Sequence, residues 1–288
     1  MLQLMLSGFV SGLEIALLAV AFQIAYLPSG IFFLGLAGAY VATPYVYQAC
    51  LGAAGNVPVA IVLSLALAAV ISLGMERANH ASLTWRRAPP AAHMISSLGL
   101  YIVLTEIVVL CFGDGSQSLR HAAGMNIISA DLLTGSQNMS LAVSAALLCA
   151  FAILLEFTSL GLRLRALASN PRQFSLYGFD ASKYLMAAFA ISGCLAGASA
   201  LLRANDSGFD PYVGLSALLL AVVAVIVGGR GSFLTPILGA IVLGVVRALI
   251  AWYFDARWQD PATFLILGLV LIVKPGGILS FKSRLESA

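Results

Sequence analysis

Four charged side chains stand inside stretches where nearly every neighbour is apolar: Glu14, Glu106, Glu156 and Arg247. Such groups can pair with one another, hold a charged solute, or carry a proton. Glu156 lies toward the end of its stretch and can reach an interface, whereas Glu14, Glu106 and Arg247 sit near the middle of theirs. A charge at the centre of a bilayer costs at least ~2.5 kcal/mol, so these three are expected to face a protein interior. The simplest arrangement pairs Arg247 with one of the two glutamates, and contact with a solute is the other.

The residue types of hydrolytic and redox chemistry form no comparable set. His80, His93 and His121 fall in loops or at the edge of an apolar stretch, without HExxH or another ligand spacing. Cys50, Cys111, Cys149 and Cys194 lie in or at the ends of apolar stretches with no close spacing, and read as packing residues rather than a metal site or disulfide framework. The phosphate-binding pattern GxxxxGKS/T is absent, and "VGGRGSFLTP" at 227–236 lacks both its lysine and a preceding strand. No catalytic residue, metal site or cofactor bound by this chain is expected.

The elements that position these groups follow from composition. Of 288 residues 61% are hydrophobic and 9% charged, and the mean hydropathy is +0.99. A water-soluble domain of this length needs far more charge to cover its surface. Apolar stretches recur at roughly 6–26, 30–50, 56–76, 93–113, 140–160, 184–203, 213–229, 233–254 and 261–274, each near the ~20 residues that a helix needs to cross a bilayer. They are continuously apolar rather than alternating, which selects helices over a β-barrel. The expected fold is an all-α polytopic membrane protein, a single domain over 1–288 with eight or nine transmembrane helices. The opening stretch has no basic n-region and reads as a retained first helix.

Small residues four apart, Gly8 and Gly12, Gly193 and Gly197, Ala240 and Gly244, predict close helix–helix approach within a bundle. Two apolar runs are interrupted. Pro28, Ser29 and Gly30 break the first, and Gly228, Gly229, Gly231, Ser232 and Pro236 break a later one. Breaks in lipid occur where protein or water covers the freed backbone, and paired breaks in separate halves are the best sequence pointer to a transport pathway. Segments 26–35 and 227–236 are therefore candidates for broken or re-entrant elements, with Glu106 as a further pathway candidate. For 227–236 a tight turn between two short helices stands equally open.

Charge placement gives sidedness. Arg77, Arg86, Arg87, Arg163, Arg165, Arg172, Lys183, Arg230, Lys274, Lys282 and Arg284 fall on one set of alternate loops, eleven of the fifteen basic residues. The other set carries Asp114, Asp131, Asp206, Asp210, Asp255 and Asp260, with only Arg120, Arg203 and Arg257 among them. Lys and Arg collect on cytoplasmic loops, so 163–183 and the 275–288 tail are placed in the cytoplasm and 113–138 outside. The N-terminus is outside if all nine stretches cross and inside if one is re-entrant.

One cytoplasmic stretch, "RALASNPRQFSLYGFDASKY" at 165–184, reads as a short helix ahead of the next membrane helix. Asn170 suits the N-cap, Pro171 the first helical position and Gly178 the left-handed residue that ends it. So short a helix does not persist unsupported. Phe174 and Tyr177 share a face with Leu176 beside them, which suits either docking to a partner protein or packing back on the membrane helices.

The order and spacing of "RALASNPRQFSLYGFDASKYLMAAFAISGCLAGASALL", "DPYVGLSALLLAVVAVIVGGRGSFLTPILGAIVLG" and "FLILGLVLIVKPGGIL" resemble the C-terminal half of inner-membrane permease subunits of branched-chain amino acid ABC importers. "GLEIALLAVAFQIAY", "GAYVA", "MERA" and "SSLGLYIVLTE" resemble their N-terminal half, so the resemblance covers nearly the whole chain. It implies a multi-pass subunit of a bacterial inner membrane that pairs with a second, homologous permease, two cytoplasmic ATPase subunits and a periplasmic solute-binding protein. It implies ATP and Mg in the ATPase rather than in this chain, and no nucleic acid.

By the same resemblance the loop is similar to a coupling helix seated in a groove of the ATPase. Arg165, Asn170, Pro171, Arg172, Phe174, Leu176, Tyr177 and Gly178 are the expected coupling residues. The expected cargo is a small polar solute of the branched-chain amino acid type. The chain departs from the family pattern: "LPSGIFFLGLAGAYV" replaces an "NFAHG"-like turn, Arg247 stands where a Glu is common, and Glu14 where small or hydroxyl residues are usual. An ion-coupled secondary transporter or channel is the competing class, and it needs no docking loop.

Overall fold

The computed structural model describes residues 2–119, 135–229, 231–274 and 277. Arg230, His121, most of the expected outer segment and almost all of the tail lie outside the described residues. Twelve α-helices follow in order among the described residues: α1 Leu2–Ser29, α2 Leu36–Ala54, α3 Val57–Met75, α4 Ala81–Trp85, α5 Pro90–Phe112, α6 Gly135–Phe157, α7 Ser159–Ser169, α8 Pro171–Leu176, α9 Ala181–Ser207, α10 Val213–Gly228, α11 Thr235–Tyr253 and α12 Gln259–Val273. A π-helical turn, Glu76–His80, joins α3 to α4 without a break, and a single 3-10 turn, Ala256–Trp258, leads into α12.

Among the described residues seven helices are long and apolar enough to cross a membrane, and α10 is a shorter apolar one. The α2 helix is the more polar exception, with Thr43, Gln48 and three tyrosines. It can afford them because α3, α5, α9 and α10 surround it and most of Leu36–Tyr47 is buried, so little of it would meet lipid. Nine long helices therefore match the nine apolar stretches of the sequence.

Helices α1, α2 and α9 form the centre, with Ala16, Leu17, Phe22, Leu36, Phe189 and Ala196 fully buried. The outer helices show apolar side chains outward instead, among them Val62, Ile95, Ile102, Ile153, Leu265 and Ile272. That is the pattern of a bundle whose solvent is hydrocarbon. Small residues set the closest crossings. A Cβ on Gly12 would come within 2.9 Å of the Ile241 Cα, and one on Gly193 within 2.5 Å of the Ala68 carbonyl oxygen. These glycines let α1 lie on α11 and α9 on α3 at backbone distance.

Successive helices run between two ends. Gln23 donates to the Ser232 carbonyl (3.1 Å), and Phe33 packs on both His80 and Phe189, which gathers the end of α1, the π turn, the start of α9 and the α10–α11 turn at one end. At the other, Gln117 pairs with Phe209 across an isolated bridge, and Ser136 donates to Asp206 (3.1 Å). The Leu2 end of α1 lies at this second end, and Lys274 at the first.

Candidate functional site

At the first end Thr158 caps α7 by accepting from the Gly161 amide (3.1 Å), which lets the chain turn sharply out of α6. Leu164 and Leu167 bury one face of α7. Asn170 then caps α8, its Oδ1 accepting from the Gln173 amide (3.1 Å). Pro171 opens the helix, and Gly178 closes it at φ +83°. These local rules were legible in the sequence.

The direction of the aromatic side chains was not. Phe174 does not join Tyr177 on an outer face. It is 4% exposed, stacked on Phe179 at 5.1 Å and set edge-on to Tyr184 at 5.4 Å. Arg163 completes this buttress, donating to the Tyr184 hydroxyl (2.6 Å) and lying over the Phe179 and Tyr184 rings. The side chains left outward are Leu176, 85% exposed, and Tyr177, 81% exposed, with Arg165 and Arg172 also exposed. A cavity of about 420 Å³ between α7 and α8 opens beside them, lined by Leu162, Asn170, Gln173 and Tyr177 among others. Arg163, Phe179 and Tyr184 escaped the sequence reading because they flank the short helix rather than belong to it.

The two interrupted segments lie at this same end. The α1 helix runs through Pro28 to Ser29, and Gly30 turns the chain at φ +67°. The connection that follows is covered by protein, since Phe33 is fully buried and the Leu34 amide donates to Ser97 (3.3 Å). The 227–236 segment takes the tight-turn form of the two left open. Gly229 leaves α10 at φ +109°, and Thr235 donates back to its carbonyl (2.6 Å) at the start of α11. His80 and His93 stack in the buried layer above, Nδ1 to Nδ1 3.3 Å. Among the described residues no group of three or more His, Cys, Asp or Glu could hold a metal ion.

The intramembrane charges part company. Glu106 is exposed, not interior. The inward stripe of α5 is taken by His93, Ser97, Tyr101, Thr105 and Val108, and one residue past Thr105 is a turn of about 100° away from it. Arg247 pairs with neither glutamate. It donates to Asp260 (2.8 Å) and Thr263 (3.0 Å) on α12. Glu14 is 3% exposed and faces Arg203, whose Nη1 stands 3.9 Å from its Oε2. Arg203 and Asp260 had read as outer-loop charges, because α9 runs further and α12 starts earlier than the apolar runs indicate.

Glu14, Tyr40, Arg203, Arg247 and Asp260 all border one cavity of about 210 Å³. A second, of about 230 Å³, adjoins it through Tyr40, Arg203 and Val213.

Residues 4–274 match the family model described as branched-chain amino acid transport system / permease component. The chain belongs to this permease family. The permease is 26% identical to the high-affinity branched-chain amino acid transport system permease protein LivH of Escherichia coli, over 96% of this chain and 95% of that one. It is 24% identical to the corresponding protein BraD of Pseudomonas aeruginosa, with the same coverage. It is also 28% identical to the autoinducer 2 import system permease protein LsrC of Yersinia enterocolitica, over 82% of this chain and 64% of that one. The family is that of an ABC importer's membrane subunit, and the names of these relatives span more than one solute.

Proposed function

We propose that the permease forms half of the membrane pathway of an ABC importer for a small polar solute of the branched-chain amino acid type. Its partners are a second, homologous permease, two cytoplasmic ATPases that bind ATP and Mg, and a periplasmic solute-binding protein. The chain itself is non-catalytic and lies in a bacterial inner membrane, with α8 and the C-terminus in the cytoplasm.

The observation that carries this reading is α8: a capped six-residue helix, braced from behind by Phe174, Phe179, Tyr184 and Arg163, that presents Leu176 and Tyr177 to the outside. A knob of this type can transmit a push, because its aromatic brace ties it to Tyr184 at the start of α9. ATPase closure would drive it, and the bundle would switch between outward and inward access. Glu106 supports the second permease. A carboxylate set among exposed Ile102, Val103, Ile107 and Leu110 is too costly to leave in lipid, and a paired subunit or the water-filled path between two subunits covers it.

Replacing both Leu176 and Tyr177 by alanine tests the reading. The variant should fold with an unchanged melting profile yet lose co-purification of the ATPase or ATP-driven uptake. Full co-purification together with wild-type uptake contradicts it.

A further inference from the structure

We propose that a single permease subunit carries its own solute subsite, for a small zwitterion with an aliphatic side chain, between Glu14 and Arg203. The proposal rests on the permease reading and assigns a site within the subunit, away from the face that bears Glu106.

Two oppositely charged pairs border the cavity, and they differ. Arg247 and Asp260 are closed on each other at 2.8 Å, and Arg247 is further held by Thr263 and Gln259. That pair is saturated. Glu14 and Arg203 approach only to 3.9 Å, beyond the 2.7–3.2 Å of a good hydrogen bond. Neither Glu14 carboxylate oxygen makes a hydrogen bond of good geometry among the described residues, although the group is buried and the Ser140 hydroxyl lies beside it. The Arg203 side chain is 46% exposed and borders both cavities, with a fork of five N–H donors. A carboxyl group and a guanidinium are thus held side by side, each with unused hydrogen-bonding capacity, at the wall of a space that a solute can occupy.

The ligand that completes this arrangement carries an ammonium and a carboxylate on neighbouring atoms. Its ammonium donates to Glu14 and its carboxylate accepts from the Arg203 fork, which suits planar oxyanions. Part of the remaining wall is apolar, with Ile15, Leu18, Ala217 and Leu220 beside the polar Ser199 and Ser216, and this part takes an aliphatic side chain. A simple anion would leave Glu14 unpaired, and a simple cation would leave Arg203 so. The two adjoining cavities of about 210 and 230 Å³ together reach the ~300–1,000 Å³ of small-solute sites. Ser199 fixes the depth of the acid by donating to the Glu14 carbonyl (2.9 Å), so Glu14 is positioned from α9, the helix that also carries Arg203.

The test uses the full chain co-expressed with the ATPase and permease subunits of its own transporter and placed in lipid nanodiscs without the binding protein. Tritiated L-alanine, L-valine and L-leucine are offered in turn. Saturable binding of at least one is expected. Competition by its decarboxylated amine and by its deaminated acid should each be weaker by about tenfold or more, the worth of one charged hydrogen bond. Glu14→Gln and Arg203→Gln should each lose about tenfold, while Arg86→Gln, exposed at the opposite end of the bundle, keeps wild-type binding.

Because the competition series needs no variant, a folding defect in Glu14→Gln leaves the proposal testable. Half-ligands competing as well as the whole amino acid overturn it, and so does an assembled complex that binds none of the three. Co-elution of the ATPase in the same sample reports separately on the permease reading.

Discussion

At the residue scale, the side chains divide by what holds them. Arg247 is largely buried and Asp260 is 73% exposed, so solvent screens their pair. Arg247→Ala is expected to cost about 1 kcal/mol, and the Arg247→Asp, Asp260→Arg exchange should recover part of it in a melting curve. A pairing of Arg247 with Glu106 predicts no such recovery. Gly193 is less forgiving. Valine there drives atoms into the Ala68 carbonyl and the Ser72 hydroxyl, 2.5 and 2.6 Å from the first added carbon, and overpacking of this type costs roughly 1–3 kcal/mol. Gly193→Val should lower the melting temperature in detergent, whereas Gly99→Val, with open space around it, should leave it nearly unchanged.

At the element scale, α8 shows what was legible and what was not. Its cap, first residue and left-handed stop are local chemistry, and Asn170, Pro171 and Gly178 read correctly from the sequence. The turn of Phe174 into the Phe179–Tyr184 pair depends on residues beyond the helix, which spacing on α8 does not report. The same limit applies to α5. In a helix apolar on every side, hydrophobic periodicity cannot tell a lipid face from a protein face, and only the small polar stripe Ser97, Thr105 marked the inward side. Phe174→Ala and Tyr177→Ala should therefore behave differently. The first removes a buried ring and lowers stability by about 3 kcal/mol. The second leaves the melting curve in place and weakens ATPase attachment, as a pull-down of the partner would record.

At the scale of the whole molecule, nine long helices alternate between two ends, and the division of basic and acidic residues in the sequence follows the same alternation. The order of the long helices was readable from hydropathy because each apolar helix must satisfy its own backbone. The π turn at Glu76–His80 and the buried 30–35 connection were not, since tertiary packing creates both. The Leu2 end of α1 and Lys274 lie at opposite ends of the bundle. Cysteines placed at each end in turn should then label from opposite sides of sealed vesicles, and labelling from one side contradicts the alternation.

As the proposed passive half of an ATP-driven pathway, this chain should move solute only together with its partners. Proteoliposomes holding the permease with its partner permease and ATPases, presented with loaded binding protein, should accumulate solute only when ATP and Mg are supplied at the α8 side. Replacing Leu176 and Tyr177 by alanine should abolish that accumulation. Uptake by this chain alone, driven by an ion gradient and indifferent to ATP, would contradict the account.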